Sequence, residues 1–484
     1  MLELTYTRLL LLAVVAEVVR RVSKALIVGF TGPLAKVPGP FWNKLSALPW
    51  RIAFLRGTAF LLAQDLHRKY GDIVRVAPNL VLVSDFDSVH KVLFEWDLQK
   101  SPVYEKYRQK PHITTLFTER DKAKYRVRRR LLSNGFSVSY LKSLEPLMLD
   151  CIDVLQEVLE ERCSAGEGTA VVNIYDLISS LASDIMSESS FGGSFGLVRR
   201  GHHPLKTRIT NYLKRVALFQ IIPLLNLVSS PRDGELDATV QSILDKRLHV
   251  EKSDRRKDLL QILLEASAES PDTLSQEHIK AEMFVFLLAG SDTSAATATF
   301  CLMKLLENPA TYQTLVQELD ALVPCRNDPI VDENIRNLPY LNAVIYETLR
   351  LLPPAAGGFA RQASEPIVLQ GYALPEGTLI TADTTTLHRD PRVWPDADWF
   401  IPGRWVDGHK GVRASERNWY PFSAGSRTCI GKQFALKEVR LLLAILLRRF
   451  EFSRVPDQDI VFRHHSVLYI QSGKYLVNVR PRMA

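Results

Sequence analysis

Residues 422–431 read Phe-Ser-Ala-Gly-Ser-Arg-Thr-Cys-Ile-Gly, and this stretch decides how the rest of the chain is read. Gly425 supplies a tight turn at a place where a side chain would collide with whatever packs beneath it. Cys429 follows, and then residues 432–450, KQFALKEVRLLLAILLRRF, form a strongly helical run. The thiol therefore sits just before a helix N-terminus, where unpaired amides and the positive end of the helix dipole favour a thiolate. Gly431 lets those amides approach closely, and Phe422 can shield one side from water. A buried, amide-solvated thiolate is what a metal needs for a strong axial ligand. Most free cysteines are inert core residues. Here, however, five spaced positions match F-x-x-G-x-R-x-C-x-G, a coincidence on the order of one in ten thousand for a chain this long.

The frame around this loop is set by length and composition. The chain has 484 residues, 46% hydrophobic and 24% charged, with 26 prolines and 24 glycines. That balance excludes collagen-like, coiled-coil and wholly disordered classes. No uncharged apolar run of about eighteen residues occurs, which excludes a polytopic membrane protein. A core buried by this length can enclose a bulky cofactor. The net charge of +8 suits an anionic membrane surface or an acidic protein partner. Nucleic acid is not an expected partner, because there is no basic stripe with interleaved aromatics, no zinc spacing and no aromatic nucleic-acid-binding motif. Cys151, Cys163, Cys301, Cys325 and Cys429 form an odd, sparse set without a CxxC pair. Such a set argues against a disulfide framework and for a reducing compartment.

At the N-terminus, Leu9–Val19 reads LLLLAVVAEVV, followed by Arg20, Arg21 and Lys24 and a second apolar patch over Ala25–Phe30. The first run is too short to span a bilayer alone. Basic residues follow it rather than precede it, and no small-residue cleavage site appears, so it does not read as a secretory signal. The Lys/Arg excess on its C-terminal side would keep the remaining chain in the cytosol. Residues 1–30 are therefore expected to be a retained membrane anchor or an interfacial amphipathic helix. KVPGP at Lys36–Pro40 cannot continue a helix and makes residues 31–40 a proline-rich hinge.

Beyond the hinge, a helix over Leu61–Tyr70 ends at Gly71, and strands over Ile73–Val76 and Leu80–Val83 flank a Pro78-Asn79 turn. Helices are expected over Lys122–Leu132, Lys142–Cys163, Tyr175–Ser190, Lys206–Gln220, Ala238–Lys252 and Leu259–Ser267. A long one starts near Ser275, with Thr273 and Gln276 as a capping box and Asn308-Pro309 as its stop. Short strands return at Pro366–Leu369, at Leu379–Thr381 and after Phe452. Nothing cuts this stretch, so residues 41–484 read as one large domain, mainly α with small β-sheets.

The cysteine loop resembles the haem-thiolate loop of the cytochrome P-450 superfamily, in which the cysteine thiolate is the proximal iron ligand. Three further elements fall in that family's order. Glu347 and Arg350, in YETLR, share one helix face and resemble the ExxR motif; Arg404, in FIPGRW, takes the place of the third member of that structural triad, with Gly403 where the family usually has glutamate. Ala289-Gly290 followed by Asp292-Thr293-Ser294 resembles the signature of the long central helix. There the small residues would make room for dioxygen, Thr293 would hydrogen-bond it and Asp292 would bring in protons, whereas the local alternative is Ser/Thr bonding back to the helix backbone. Haem propionates need cations, and the resemblance assigns Arg427, Arg361 and Arg129 to them. Tyr125 stands at the usual tryptophan position of the W-x-x-x-R pair.

The resemblance implies haem b with an axial cysteine thiolate, O2, a lipophilic small-molecule substrate and NADPH–cytochrome P-450 reductase as partner, at the endoplasmic reticulum membrane with the catalytic domain facing the cytosol. A basic proximal face for an acidic flavoprotein would combine Lys122, Lys124, Arg126, Arg128, Arg130, Lys432, Lys437 and Arg440. Substrate-lining positions would be Ile113, Phe117, Phe286, Ala289, Ala356 and Gly357, and the small residues near 356 suggest room for a bulky molecule. Phe219–Leu225 could dip into the membrane. HRDPRVWPDADWF resembles filamentous-fungal members, many of which tailor secondary metabolites. Oxidative coupling or ring closure is an alternative outcome of the same chemistry. An O2-independent isomerase or dehydratase typically lacks the Asp292–Thr293 pair, and that pair with a large pocket also argues against a non-enzymatic haem sensor.

Overall fold

The computed structural model describes residues 2–201, 208, 211–212, 216, 234–251, 255–322, 328–406 and 417–482. Its principal helices in chain order are α1 (Leu2–Phe30), α2 (Phe41–Leu45), α3 (Leu48–Leu55), α4 (Ala59–Tyr70), α5 (Lys122–Ser133), α6 (Val138–Ala165) and α7 (Ile174–Phe191). Then follow α8 (Gly234–Leu248), α9 (Leu259–Glu269), α10 (Gln276–Glu307), α11 (Pro309–Leu322), α12 (Pro339–Leu351) and α13 (Lys432–Arg449). The strands are β1 (Ile73–Ala77), β2 (Leu80–Val83), β3 (Gln99–Lys100), β4 (Ala170–Asn173), β5 (Phe359–Gln362) and β6 (Ile367–Leu369). They continue with β7 (Tyr372–Leu374), β8 (Leu379–Ala382), β9 (Phe450–Arg454), β10 (Phe462–His464), β11 (Leu468–Ile470) and β12 (Leu476–Pro481). The chain is thus mainly helical with small sheets, as expected. The helix expected over Lys206–Gln220 and the apolar Phe219–Leu225 segment lie largely or wholly outside the described residues.

Contacts group the chain into two compact units, Met1–Ser101 with Gly357–Leu387, and Pro102–Ala356 with His388–Ala484. No linker marks this division in the sequence, because the first unit is closed by strands that arrive from far along the chain. Its sheet has the order β1-β2-β8-β5-β3. β2 pairs in parallel with β8, Leu80 opposite Leu379, while the other pairings of the sheet are antiparallel. β1 is buried along its whole length, and its Val74 and Val76 pack with Leu82 against Ala63 and Leu66 of α4.

The second unit is built around α10, a 32-residue helix about 48 Å long at 1.5 Å per residue. Its chief neighbour is α7. A Cβ on Gly290 would stand 2.5 Å from the sulfur of Met186 in α7, so this glycine makes room for that side chain where the two helices meet. Of the two small residues expected to make room for dioxygen, Gly290 faces Met186 and Ala289 is the exposed one. The expected capping box is also absent. Ser275 occupies the N-cap without a capping bond to the backbone and meets His278 Nδ1 at 2.8 Å, because the N-cap falls two residues after Thr273. Asn308 ends α10 as expected, and Pro309 opens α11.

α12 is anchored at both ends. The Glu318 carboxylate of α11 accepts the N–H groups of Tyr340 and Leu341 at 2.8 Å each, capping the first turn. On the last turns, Glu347 and Arg350 are wholly buried. Arg350 donates from Nε and a terminal nitrogen to the two Glu347 oxygens at 2.8 and 2.9 Å. Its remaining capacity goes to the carbonyls of His388 (2.7 Å), Ala397 (2.6 Å) and Trp399 (3.0 Å). Arg404 Nε donates to Glu347 Oε1 at 3.0 Å, Trp405 Nε1 to Oε2 at 2.9 Å, and the Ile401 N–H to Oε1 at 3.0 Å. The carboxylate accepts five donors. Gly403 leaves this intact, since a Cβ there would meet nothing within 4 Å.

Burial pushes the Glu347 carboxyl up, but the hydrogen bond and charge of Arg350 and the charge of Arg404 outweigh it and hold it below the ordinary value. Breaking a buried pair by removing one charge costs about 3–5 kcal/mol. Glu347→Gln should therefore lower the unfolding free energy by about that amount, measured by guanidinium titration; a change within 1 kcal/mol, roughly the value of an exposed pair, would contradict the assigned role.

His388 gives the same frame a pH dependence. Its Nε2 accepts the Tyr420 N–H at 2.9 Å, so the ring must stay neutral. Burial and the nearby Arg350 charge push it down to about 3. The unfolded chain takes up this proton near the ordinary histidine value, about 6.5. The contribution is present above that value and is lost as pH falls toward 3, in total on the order of a few kcal/mol. Unfolding free energies of wild type and His388→Gln, compared between pH 7 and 4, should diverge most at pH 7; parallel curves would contradict it.

Candidate functional site

The cysteine loop is shaped by its own turns. Ser423 and Gly425 adopt left-handed φ values of 61° and 66°, reversing the chain so that the Cys429 N–H reaches Phe422 O at 2.9 Å. Thr428 bonds back to Gly425 O through both N–H (3.2 Å) and hydroxyl (2.8 Å). Gly431 is the N-cap of α13, which starts at Lys432. Cys429 thus stands immediately ahead of a helix N-terminus, as the spacing predicts.

Two arginines fasten the loop, Arg129 from α5 and Arg427 from within the loop itself. Arg129 donates from one terminal nitrogen to Thr428 O at 2.6 Å and to the Tyr125 hydroxyl at 2.9 Å. The Arg427 guanidinium lies 3.6 Å from the Tyr125 ring centroid and donates to Glu119 O (2.9 Å) and Arg120 O (3.0 Å). Tyr125 therefore connects both cations, with its ring to one and its hydroxyl to the other. Arg361 is buried in β5 of the first unit, where it donates to Ala360 O at 3.2 Å.

Of the described cysteines, Cys151, Cys163 and Cys301 are buried and Cys429 alone is exposed. Burial pushes Cys151 and Cys301 each up to about 12, which makes them inert thiols. Crowding by protein leaves Cys429 raised as well, with the Gly431 N–H and the charges of Arg129 and Lys432 offsetting only part of it. No cluster of three or more His, Cys, Asp or Glu exists among the described residues. A metal held here by one thiolate must then bring most of its other ligands with it, as an iron macrocycle does. The donor set fits a haem.

α10 carries the second part of the site. The Thr293 hydroxyl donates to Ala289 O at 2.7 Å, the local back-bond named as the alternative above. Partial burial, and after it the charge of Asp292, pushes the half-buried Tyr175 of α7 up to about 12. On the other side, Ser294 faces Glu438 of α13, whose carboxyl burial pushes up to about 8. Neither Tyr175 nor Glu438 was signalled by any motif.

The substrate positions scatter. Ala289 and Gly357 are exposed, and Phe117 is exposed against the edges of Tyr104 and Tyr107. Ile113 and Ala356 are buried, and Gly357 belongs to the first unit. Phe286 is buried edge-on against Phe136, a ring that lies 4.0 Å from a Cβ built on Gly431. Phe286 is therefore one ring removed from the cysteine loop.

The expected basic face is smaller than its residue count. Arg128 is buried, donates to carbonyls of Thr114 and Thr273 and lies 3.7 Å from Glu282. Lys437 is buried on Glu145 at 2.6 Å, and Arg440 on Asp332 at 2.9 Å. These three cations are consumed in the core; Lys122, Lys124, Arg126 and Arg130 are the exposed ones.

Sequence reasoning also missed an aromatic chain that joins the buried triad to the cysteine loop. Trp394, Trp405, Trp419 and Phe422 follow one another at centroid separations of 5.5, 5.7 and 6.1 Å. Lys432 lies over Trp419 and Phe422. The tryptophan following Arg404 was the available signal.

Comparison with known proteins agrees with this geometry. The cytochrome P450 family model matches residues 37–479. Cytochrome P450 monooxygenase acrD of Aspergillus aculeatus is 37% identical over 93% of this chain and 91% of its own. Cytochrome P450 monooxygenase LUC2 of a Fusarium species is 37% identical over 99% of this chain and 95% of its own. Among solved structures, the heme domain of cytochrome P450DA matches with a TM-score of 0.81 at 22% identity, over 92% of this chain and 98% of that one. The match extends from the hinge to the last strand and includes the loop that presents Cys429, so this chain belongs to the cytochrome P450 family and is a monooxygenase.

Proposed function

We propose that this monooxygenase uses O2 and NADPH-derived electrons from a separate reductase to oxidise a bulky lipophilic molecule of secondary metabolism. The observation that carries the reading is the exposed Cys429 thiol on a loop braced by Arg129 and Arg427. A haem b held by Cys429 would supply dioxygen activation and insertion of one oxygen atom into a substrate bond. The protein's part is positioning. The Gly431 N–H and the Arg129 and Lys432 charges favour the thiolate, while the triad and its tryptophans hold the loop at fixed depth.

Thr293 and Asp292 are assigned to proton delivery. To serve an oxygen in the pocket, the Thr293 hydroxyl turns away from Ala289 O, a bond worth about 1 kcal/mol net. Ala289 beside it offers the least hindrance, and Asp292 supplies the exchangeable proton. Fungal relatives that are themselves cytochrome P450 monooxygenases support the metabolic setting.

Residues 1–30 are assigned to a membrane anchor at the endoplasmic reticulum with the catalytic body in the cytosol. Its exposed apolar side chains from Leu11 to Phe30, followed by no compensating acidic run, support this. The one described helix long and apolar enough by composition to cross a membrane is α10, two-thirds buried within the protein.

Cys429→Ser should lose the thiolate-type carbon-monoxide band of the reduced protein, and an unchanged band would overturn the ligand assignment. Thr293→Ala should keep that band but lower product formed per NADPH by about tenfold or more, in the range ascribed to a positioned proton donor, with release of peroxide. Full coupling in that variant would remove Thr293 from proton delivery.

A further inference from the structure

The three indoles of the aromatic chain differ in what their N–H groups meet. Trp394 is fully buried, and its Nε1 has no hydrogen-bond partner among the described residues. Trp419 donates to the Tyr346 carbonyl at 3.1 Å. Trp405 donates to a carboxylate, Glu347 Oε2 at 2.9 Å. The difference bears on oxidation. An indole that has lost an electron gives up its N–H proton readily, so the electron leaves most easily where an acceptor waits for that proton. A negative charge at the nitrogen also favours the oxidised ring.

Charges over the ring faces rank the three in the same way. The Arg350 guanidinium lies 5.3 Å from the Trp394 ring centroid, and the Lys432 ammonium 5.8 Å from that of Trp419. A cation over an aromatic face is attracted to the ring's electrons, and so opposes their removal. Among the described residues, no cation lies over the Trp405 ring. Trp405 is therefore the ring of the chain that is easiest to oxidise.

The rings are also joined to the cysteine loop. Trp405 and Trp419 stand 5.7 Å apart, and both meet Tyr346 of α12, at 5.7 and 4.9 Å, which closes a triangle. Trp419 leads on to Phe422 at 6.1 Å and is the one described ring that meets it. Phe422 O in turn accepts the Cys429 N–H at 2.9 Å. A phenyl ring is too hard to oxidise to hold a charge, so Phe422 can only bridge. Trp419 is then the single ring linking the cysteine loop to the triangle.

We propose that this chain is a one-electron route by which oxidising equivalents leave the haem site when no substrate is bound, and that they come to rest on Trp405. The proposal rests on the haem reading of Cys429. When dioxygen is activated with no substrate bond in reach, the electrons it still requires have to come from the protein. Trp405 gives one electron toward Cys429 through Trp419 and passes its N–H proton to Glu347 Oε2. A soluble thiol or ascorbate then returns one electron and one proton to the ring. Without such a donor the ring loses a second electron and takes up water. In sum it sheds two electrons and two protons and keeps the oxygen of one water molecule. With hydrogen peroxide as oxidant those electrons and protons convert the peroxide into two waters.

The full-length ferric holoenzyme, free of substrate, is treated with hydrogen peroxide under argon in oxygen-labelled water, and oxygenated tryptophans are located by peptide mass spectrometry. A sample that shows no thiolate carbon-monoxide band on reduction overturns the haem reading itself. In protein with the band, Trp405 should carry the most label of the seven tryptophans. Trp42 and Trp399, which are 69% and 72% exposed, should carry less. Oxygenation falling chiefly on those two, or oxygen drawn from the peroxide, is attack from solution and overturns the route. Trp419→Phe that retains the band should lose the label at Trp405 and bleach its haem absorption sooner, while Trp419→Tyr, whose ring can be oxidised, should restore the label. Undiminished label in Trp419→Phe overturns the route. Should that variant lose the band, the wild-type distribution and the source of its oxygen still decide.

Discussion

A carboxylate that its own helix satisfies only in part holds the second unit together. Glu347 is wholly buried and collects five donors, from Arg350, Arg404, Trp405 and the backbone of Ile401. Each partner is fixed in turn. Arg350 spends its other donors on carbonyls at 388, 397 and 399, and Arg404 donates to Pro395 O. A long irregular segment thus acquires a defined path although it has almost no regular secondary structure. Charge removed from this point leaves several buried donors unpaired at once, which is why the cost is that of a network and not of one pair.

From that frame the cysteine loop inherits its position. Trp405 belongs to both the Glu347 cluster and the aromatic chain that ends on Phe422. Tyr420, two residues before Phe422, is tied to His388, whose carbonyl holds Arg350. On the opposite side Arg129 and Arg427 pin the loop to α5 and its approach. A thiol so placed can keep one orientation toward a bound iron while the chain around it remains close-packed.

Three of the buried arginines serve three ends: Arg350 orders loops, Arg128 joins the 114–119 turn to α10, and Arg75 holds the end of α1. In each case a planar fork of donors meets backbone carbonyls, which a lysine cannot match with the same fixed geometry. This is also where the charge-based reading of the surface went astray. Counting Lys437, Arg440 and Arg128 toward an external basic face presumed solvation, whereas each finds an acidic group or a carbonyl inside.

Local order was legible wherever a motif encodes its own geometry. The turn at Gly425, the thiol ahead of α13, the shared face of Glu347 and Arg350, the β1–β2 hairpin and the length of α10 all follow from spacing, backbone preference and periodicity, which act over a few residues. What spacing could not reveal depends on partners distant in the chain: that Gly290 makes way for Met186, that Trp405 and Ile401 complete the Glu347 shell, that Ser275 displaces the expected cap, and that a returning strand divides the chain into two units. Position along a helix sets which way a side chain points. Only tertiary packing decides whether a charge there meets water, a carboxylate or a carbonyl, because that depends on desolvation and on which distant segment arrives to compensate it.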